Sequence, residues 1–335
     1  MKILITGGAG LVGSNLSKRL LDEGHSVFVV DNFTTGSEEN VKSLQGYENY
    51  SFCECGIESP DFIKFCEKVG CDFDRIYHLA CPTGVPNIDI LAEEMLISCS
   101  IGTLNVLRIA EKSKARLLFT SSSEVYGEPE KTPQDEKYTG NVETTGPRAN
   151  YEEGKRFSET LVAHFVKKYG LHAVTVRLFN AYGPNMSLKD QRVLPRFIQQ
   201  ALRGDGLTVQ GEGSQTRTLC FVSDILDGFE AVISKGTPGE IYNLGSDSAI
   251  TIRELAEFVI AAVGSESEIV SVPRPEHDHS SRMPVLEKIR SLGWRQKVDL
   301  KLGLQKMIEN FKLRLEYPVV HNVDTAPQQR LSLQE

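Results

Sequence analysis

Tyr151 and Lys155 bracket the segment Tyr151-Glu152-Glu153-Gly154-Lys155. In a helix, positions i and i+4 project from one face, so the phenol and the ammonium stand side by side. An ammonium favours a neighbouring phenolate, which can take a proton from a substrate hydroxyl as hydride leaves the same carbon. A solvated helix face carries Tyr-x-x-x-Lys just as well, so a partner group has to change the balance. Ser122 is that partner. It lies in Thr120-Ser121-Ser122-Ser123-Glu124-Val125-Tyr126-Gly127, after an apolar run. A strand there places its hydroxyl at the C-terminal edge of a sheet, where α/β proteins bind ligands.

A second group of residues points to a dinucleotide. Gly7, Gly10 and Gly13 follow the first apolar run with GxxGxxG spacing, Leu11 and Val12 falling between the last two. Missing side chains there permit a tight turn, bring backbone N–H groups to a pyrophosphate at a helix N-terminus, and let helix and strand pack closely. An ordinary βα connection would use the same glycines. Asp31, with Asn32 after it, ends the next apolar run 21 residues beyond Gly10. An acid at that distance accepts hydrogen bonds from the adenosine ribose and repels a 2′-phosphate, which favours NAD over NADP. The plainer reading of Asp31 is a turn former.

The elements that must hold these residues alternate. Ile3–Thr6, Ser26–Val30, Arg75–Ala80, Arg116–Thr120 and Ala173–Leu178 read as buried parallel strands. Gly13–Glu23, Pro60–Val69, Ala92–Lys112 and Asn150–Tyr169 read as helices between them. The expected fold is α/β, a Rossmann-like doubly wound parallel sheet with a smaller C-terminal substrate lobe. Residues 1–179 with 220–246 form the NAD-binding domain in this reading, and 180–219 with 247–320 the lobe. Residues 321–335 are polar and aperiodic, and read as a flexible tail.

The chain has 335 residues, 40% hydrophobic and 24% charged, enough for a substantial core. A net charge of -8 disfavours a general nucleic-acid binder. Seven cysteines, at 53, 55, 66, 71, 81, 99 and 220, lack CxxC spacing and read as reduced thiols of a cytoplasmic protein. MKILITGG runs straight into strand and turn, so no signal peptide is expected, and no apolar run spans a membrane. The sequons at Asn32 and Asn185 read as chance, and His277-Asp278-His279 as a polar loop rather than a metal site.

Longer stretches carry a resemblance. His78–Pro82 (HLACP), Thr120–Pro129 (TSSSEVYGEP), Gly146–Thr160 (GPRANYEEGKRFSET), Arg177–Pro184 (RLFNAYGP) and Leu207–Gly228 resemble the extended short-chain dehydrogenase/reductase (NAD-dependent epimerase/dehydratase) family. Within it they are most similar to the UDP-glucuronate decarboxylases, or UDP-xylose synthases. The resemblance covers Met1 to about Leu315. It implies oxidation of a sugar at C4, loss of carbon dioxide from the β-keto acid, and return of the hydride, so that NAD is regenerated. Tyr151 would be base and then acid at O4, with Glu124 and Arg282 near the decarboxylating centre. Gly56, Ile57, Leu79, Ala80 and Cys81 would join the cofactor site. Pro82, Ser123, Asn180, Arg192, Val193 and Arg217 would bind the nucleotide-sugar with Arg282, and Leu207 and Val209 would line the base pocket. A homodimer built from helices Ala92–Lys112 and Asn150–Tyr169 is implied as well.

Several positions depart from the family pattern. Cys99 stands where an asparagine supports the catalytic lysine, Gly56 where an aspartate touches adenine, and Gln210 where an aromatic sits beside the base. Gly84, Ile88 and Ile90, in Pro82–Ile90, replace a hydroxyl and two phenols expected next to the sugar. Ser123-Glu124 in place of Asp-Glu argues against 4,6-dehydration, and Glu124 leans from epimerisation toward decarboxylation. A 4-epimerase or unusual dehydratase remains the alternative chemistry. A non-catalytic NAD-sensing protein is the alternative of another class, disfavoured by Ser122, Tyr151 and Lys155 occurring together.

Overall fold

The computed structural model describes residues 1–84, 87–273 and 282–316. The polar loop read at His277–His279 and the tail read over 321–335 lie outside the described residues. The strands in chain order are β1 (Lys2–Thr6), β2 (Ser26–Asp31), β3 (Tyr50–Glu54), β4 (Arg75–His78), β5 (Arg116–Ser122) and β6 (Ala173–Leu178). Short strands β7 (Ala181–Tyr182), β8 (Leu207–Gln210), β9 (Thr216–Thr218) and β10 (Cys220–Phe221) follow, then β11 (Ile241–Leu244), β12 (Ala249–Thr251) and β13 (Ile269–Val272). The helices are α1 (Leu11–Asp22), α2 (Glu38–Lys42), α3 (Pro60–Lys68), α4 (Asn87–Ile90), α5 (Ala92–Ile97) and α6 (Thr103–Ser113). After them come α7 (Ala149–Tyr169), α8 (Val193–Arg203), α9 (Val222–Lys235), α10 (Ile252–Val263), α11 (Glu287–Ser291) and α12 (Leu300–Glu316).

Seven strands form one sheet in the order β3-β2-β1-β4-β5-β6-β11, parallel throughout. The chain winds outward from β1 in both directions, so a crevice opens at the C-terminal ends of β1 and β4, where the order reverses. Period-two alternation survives even though both faces are covered. Ile3 and Ile5 of β1 enter the cluster beneath α1 and α9, with Leu16, Leu20, Ile225 and Phe229, whereas Leu4 enters the one beneath α3, α6 and α7, with Phe62, Val106 and Val162. Burying each such side chain stabilises the fold by about 1.5–3 kcal/mol, which fixes the crevice between two packed layers.

Two strands of the sheet lie outside the five read from the sequence. β3 is an edge strand with partly exposed, mixed residues, and β11 is four residues long with Asn243 inside it. Neither gives a clean apolar run. The helix expected over Ala92–Lys112 is also divided, because Ser98–Gly102 forms a π-helical turn between α5 and α6. Side-chain hydroxyls take over carbonyls that the α ladder would use: Thr103 Oγ1 donates to Ser98 O (3.2 Å) and Ser158 Oγ to Cys99 O (2.7 Å).

A third apolar cluster runs from Tyr182 and α8 through β8, α10 and α12, within segments the sequence reading assigns largely to the smaller lobe. Leu286, Ile289 and Trp294 instead join the core under α9, and Trp294 Nε1 donates to Asp224 O (2.8 Å). Residues 286–294 therefore pack with the first body rather than with the lobe expected to contain them.

Candidate active site

One cleft of about 1170 Å³ runs along the C-terminal edge of the sheet and out under the lobe. At its inner end α1 begins directly after the glycine turn. Gly7 has φ +76°, and a Cβ there would lie 2.7 Å from Ala80 N; a Cβ on Gly13 would lie 2.2 Å from Gly7 O. Only glycine allows this approach of β1, α1 and the loop after β4. Gly10, Leu11 and Val12 complete the turn on the cleft. These residues fit a dinucleotide: the cradle is open where side chains would fill it, and a helix N-terminus faces it.

Asp31 lies at the end of β2, taking backbone N–H groups of Ala9 (2.9 Å) and Phe33 (2.8 Å). Burial raises its carboxyl above the usual range, and those backbone N–H groups oppose the rise. A carboxylate with about four lone-pair sites keeps capacity for ribose hydroxyls. Asn32, Gly56 and Ile57 line the same end, Asn32 also accepting from Thr34 N (3.1 Å). Gly56, which lacks the family's aspartate, has a substitute two residues on. A Cβ on Gly56 would lie 1.9 Å from a carboxylate oxygen of Glu58, so Glu58 fills the missing side chain's space. The sequence carried that signal only as an acid displaced by two positions.

Leu79, Ala80, Cys81 and Pro82 follow β4 into the middle of the cleft, opposite Tyr151 and Lys155. Lys155 is 4% exposed. It donates to Thr120 O (3.0 Å), with Nζ 5.2 Å from the Phe119 ring centroid and 6.0 Å from that of Tyr151. Burial lowers the Lys155 ammonium, but the thiols of Cys81 and Cys99 and the Tyr151 phenol outweigh it and hold the group above its ordinary range. Burial pushes the Tyr151 phenol up to about 12, against the pull of Lys155 and a hydrogen bond with Ser122. Lys155 and Ser122 thus pull the phenol toward ionisation, in the direction expected, and burial opposes them.

A chain of buried hydroxyls ties this helix to the sheet. Thr6 Oγ1 bonds His78 Nδ1 (2.8 Å), His78 Nε2 bonds Thr103 Oγ1 (3.1 Å), and Thr103 Oγ1 bonds Ser158 Oγ (3.3 Å). Ser158 Oγ in turn reaches Gly154 O (3.1 Å), one residue before Lys155.

Ser122 ends β5, and its Oγ accepts the Glu124 N–H (3.2 Å), capping the short turn that carries Ser123 and Glu124 to the cleft. Glu124 forms ion pairs with both Arg148 and Arg282. Glu152 lies behind them, 3.4 Å from Arg148 and 3.9 Å from Arg282. Arg282 also donates to Gly127 O (2.9 Å). Glu124 and Arg282, which the resemblance placed near one centre, share an ion pair, and Arg148 and Glu152 join the cluster. Both lay inside a motif read only for Tyr151 and Lys155.

From the lobe, Asn180, Arg192, Val193 and Arg217 reach the cleft. Asn180 Nδ2 donates to Thr218 O (3.2 Å), and Arg192 makes a two-pronged pair with Asp190 (2.6 and 3.0 Å). Leu207 and Val209 are fully buried in the lobe core, so their side chains do not line the base pocket as expected. On a strand, alternation turns Gln210 to the cleft instead. Arg196, unmarked in the sequence, joins Gln210 there; its Nε is buried without a partner among the described residues. In the altered loop, Ile88 packs inward at 7% exposure while Ile90 is 73% exposed, so Ile90 leaves the cleft altogether.

Among the described residues no cluster of His, Cys, Asp or Glu could hold a metal ion, and no helix is long and apolar enough to cross a membrane.

Comparison with known proteins agrees with this geometry. The chain is 42% identical over 317 residues to UDP-glucuronic acid decarboxylase 1 of Danio rerio, covering 94% of this chain and 74% of that protein. It is 42% identical over 320 residues to UDP-glucuronic acid decarboxylase 3 of Arabidopsis thaliana, covering 95% and 91%. Among solved structures, the UDP-glucose 4-epimerase of Thermotoga maritima with UDP-glucose superposes with a TM-score of 0.86 at 28% identity, covering 94% of this chain and all of that one (100%). The dTDP-glucose 4,6-dehydratase of Bacillus anthracis in complex with NAD gives 0.82 at 27% identity, covering 95% and 98%. Residues 3–245 match the NAD dependent epimerase/dehydratase family. The resemblance seen in the motifs is borne out, and the chain belongs to that family.

Proposed function

We propose that this enzyme is an NAD-dependent nucleotide-sugar carboxy-lyase that converts UDP-glucuronate to UDP-xylose. The observation that carries the reading is the Glu124–Arg282 ion pair standing next to Ser122 on the cleft that holds Tyr151. Extended similarity to UDP-glucuronic acid decarboxylases supports the substrate.

NAD would be held by the Gly7–Gly13 turn, Asp31, Glu58 and the loop Leu79–Cys81, and when bound it supplies a hydride acceptor and donor for the sugar carbon. The chain's own residues handle the protons and charge. Ser122 holds the O4 hydroxyl while Tyr151 takes its proton, the positive charge of Lys155 making that transfer less costly. The ketone so formed lies β to the carboxylate, and carbon dioxide leaves as the electrons pass into an enolate. Arg282 is already matched by Glu124, so it gives the departing carboxylate little stabilisation before reaction. It remains beside the negative charge that develops afterwards. Protonation at C5 falls to the Glu124 side of the cleft, and Tyr151 returns its proton to O4. Arg192 and Arg217 supply the cationic side of the diphosphate site.

Incubation with UDP-glucuronate and NAD, followed by carbon dioxide release and mass spectrometry of the nucleotide-sugar, tests this. A pentose product with stoichiometric carbon dioxide is the expected result. A hexuronate epimer or a dehydrated sugar without carbon dioxide would replace it with the epimerase or dehydratase reading. The homodimer belongs to the same proposal. Leu96, Ile101 and Phe157 are about half exposed (46%, 52% and 50%) on the α5 to α6 segment and α7, apolar surface that a second copy would cover. Sedimentation at micromolar concentration should give twice the chain mass. Seven free thiols favour a reducing compartment such as the cytoplasm.

A further inference from the structure

Cys81 and Cys99 meet beside the catalytic lysine, their sulfurs 3.6 Å apart and not joined. Cys81 follows β4 and lines the cleft. Cys99 lies in the π-helical turn and is 2% exposed. The thiol of Cys99 packs on α7 where a side chain is missing, since a Cβ on Gly154 would lie 3.2 Å from its sulfur. Both segments are tethered: Ser158 Oγ donates to Cys99 O (2.7 Å) and Ser98 Oγ to Ala80 O (3.4 Å). The two sulfurs thus sit between the cofactor loop and the turn that carries Lys155.

We propose that Cys81 and Cys99 are an oxidant-modifiable dithiol within the cleft, closed to a disulfide by a small hydroperoxide and reopened by thiol reductants, with activity lost in the closed form. The proposal is independent of which sugar the enzyme takes. Sulfur contact is the first requirement, and the 3.6 Å approach supplies it. Thiolate character is the second. Cys81 and Cys99 share one hydrogen bond in which either sulfur can donate, and that bond, with Lys155 nearby, favours a single thiolate in the pair. Access is the third, and Cys81 provides it from the cleft.

In the reaction a thiolate of the pair attacks one oxygen of the hydroperoxide. The O–O bond breaks, water or an alcohol leaves, and a sulfenic acid remains. The second thiol then attacks that sulfur and expels water as the S–S bond forms. Two thiols have lost two electrons and two protons, and the hydroperoxide has taken them. A disulfide bond of about 2.05 Å draws the sulfurs together by roughly 1.5 Å. That displaces the Ala80–Pro82 loop or the π turn against α7, and removes thiolate charge from beside Lys155.

Full-length protein is treated with graded hydrogen peroxide, alkylated, digested and mapped, with activity measured in parallel before and after dithiothreitol. The expected result is a cross-linked pair of peptides containing Cys81 and Cys99, a loss of two hydrogens in the intact mass, and at least a tenfold loss of activity that dithiothreitol restores. Cys81→Ser and Cys99→Ser should each hold their own starting activity through the same dose. Cross-linking of Cys53 to Cys55, whose sulfurs are 3.4 Å apart, with Cys81 and Cys99 still alkylated, would overturn the proposal. So would a Cys81–Cys99 disulfide that leaves activity intact, or inactivation that dithiothreitol does not reverse. The wild-type map decides even if a variant fails to fold.

Discussion

Replacing Lys155 by methionine isolates the field that this ammonium exerts on Tyr151. The apolar stem is kept, while the charge, its approach to the Phe119 ring and the bond to Thr120 O are lost. At 6.0 Å from the phenol ring, and with an effective dielectric of about 20, one unit charge is worth roughly 3 kcal/mol, or about two pH units in the phenol's ionisation. Removing a positive charge destabilises the phenolate, so the pH at which kcat rises should move upward by about two units. At pH 7 this is about a hundredfold loss in kcat, because Tyr151, already pushed up to about 12 by burial, loses what opposes that rise. The assay is kcat against pH at saturating cofactor and substrate, for wild type, Lys155→Met and Lys155→Arg. The arginine variant retains the charge and should keep the limb in place, whatever it loses in positioning. An unmoved limb in the methionine variant, or an equal shift in both, would refute the electrostatic argument and leave Lys155 as a structural prop for Thr120.

Three further outcomes follow from particular contacts. Arg148→Met removes one of two cations facing Glu124 and Glu152; with Arg282 still opposite both, the loss should fall to about 2–3 kcal/mol by denaturant unfolding. Glu58→Ala should weaken NAD binding by about tenfold, the lower end for a hydrogen bond to a charged group, with kcat at saturation unchanged in a titration of cofactor. Burial, with Lys155 adding to it, lowers His78 to about 3, so the folded state refuses a proton that the unfolded chain accepts below about pH 6.5. Stability should therefore be present above that pH and fall progressively toward pH 3, by about 5 kcal/mol in full. The measurement is unfolding free energy against pH, and His78→Gln should flatten that decline.

Local chemistry was legible in the sequence wherever one residue type alone could serve. The glycine turn, Asp31 at a strand end, and the Tyr151 to Lys155 spacing depend on backbone geometry that neighbours in the chain impose: the turn follows β1, Asp31 ends β2, and Tyr151 and Lys155 stand on α7. The strands with continuous apolar runs were legible for the same reason, since a strand buried on both faces must be apolar throughout. β3 and β11 escaped because edge position and short length relax that demand.

What depended on distant segments meeting was decided only by the tertiary structure. Glu124, Arg148 and Arg282 are separated by 24 and then 134 positions, and no local pattern says that they share one charge cluster. Glu58 enters Gly56's space because the turn after β3 folds back on itself. Leu207 and Val209 face the lobe core because a parallel partner, β13, sets the register of β8. The state of Tyr151 was decided in the same way. Its lysine neighbour is written in the sequence, but the burial that outweighs it comes from every element closing over the cleft, and desolvation has no sequence spacing.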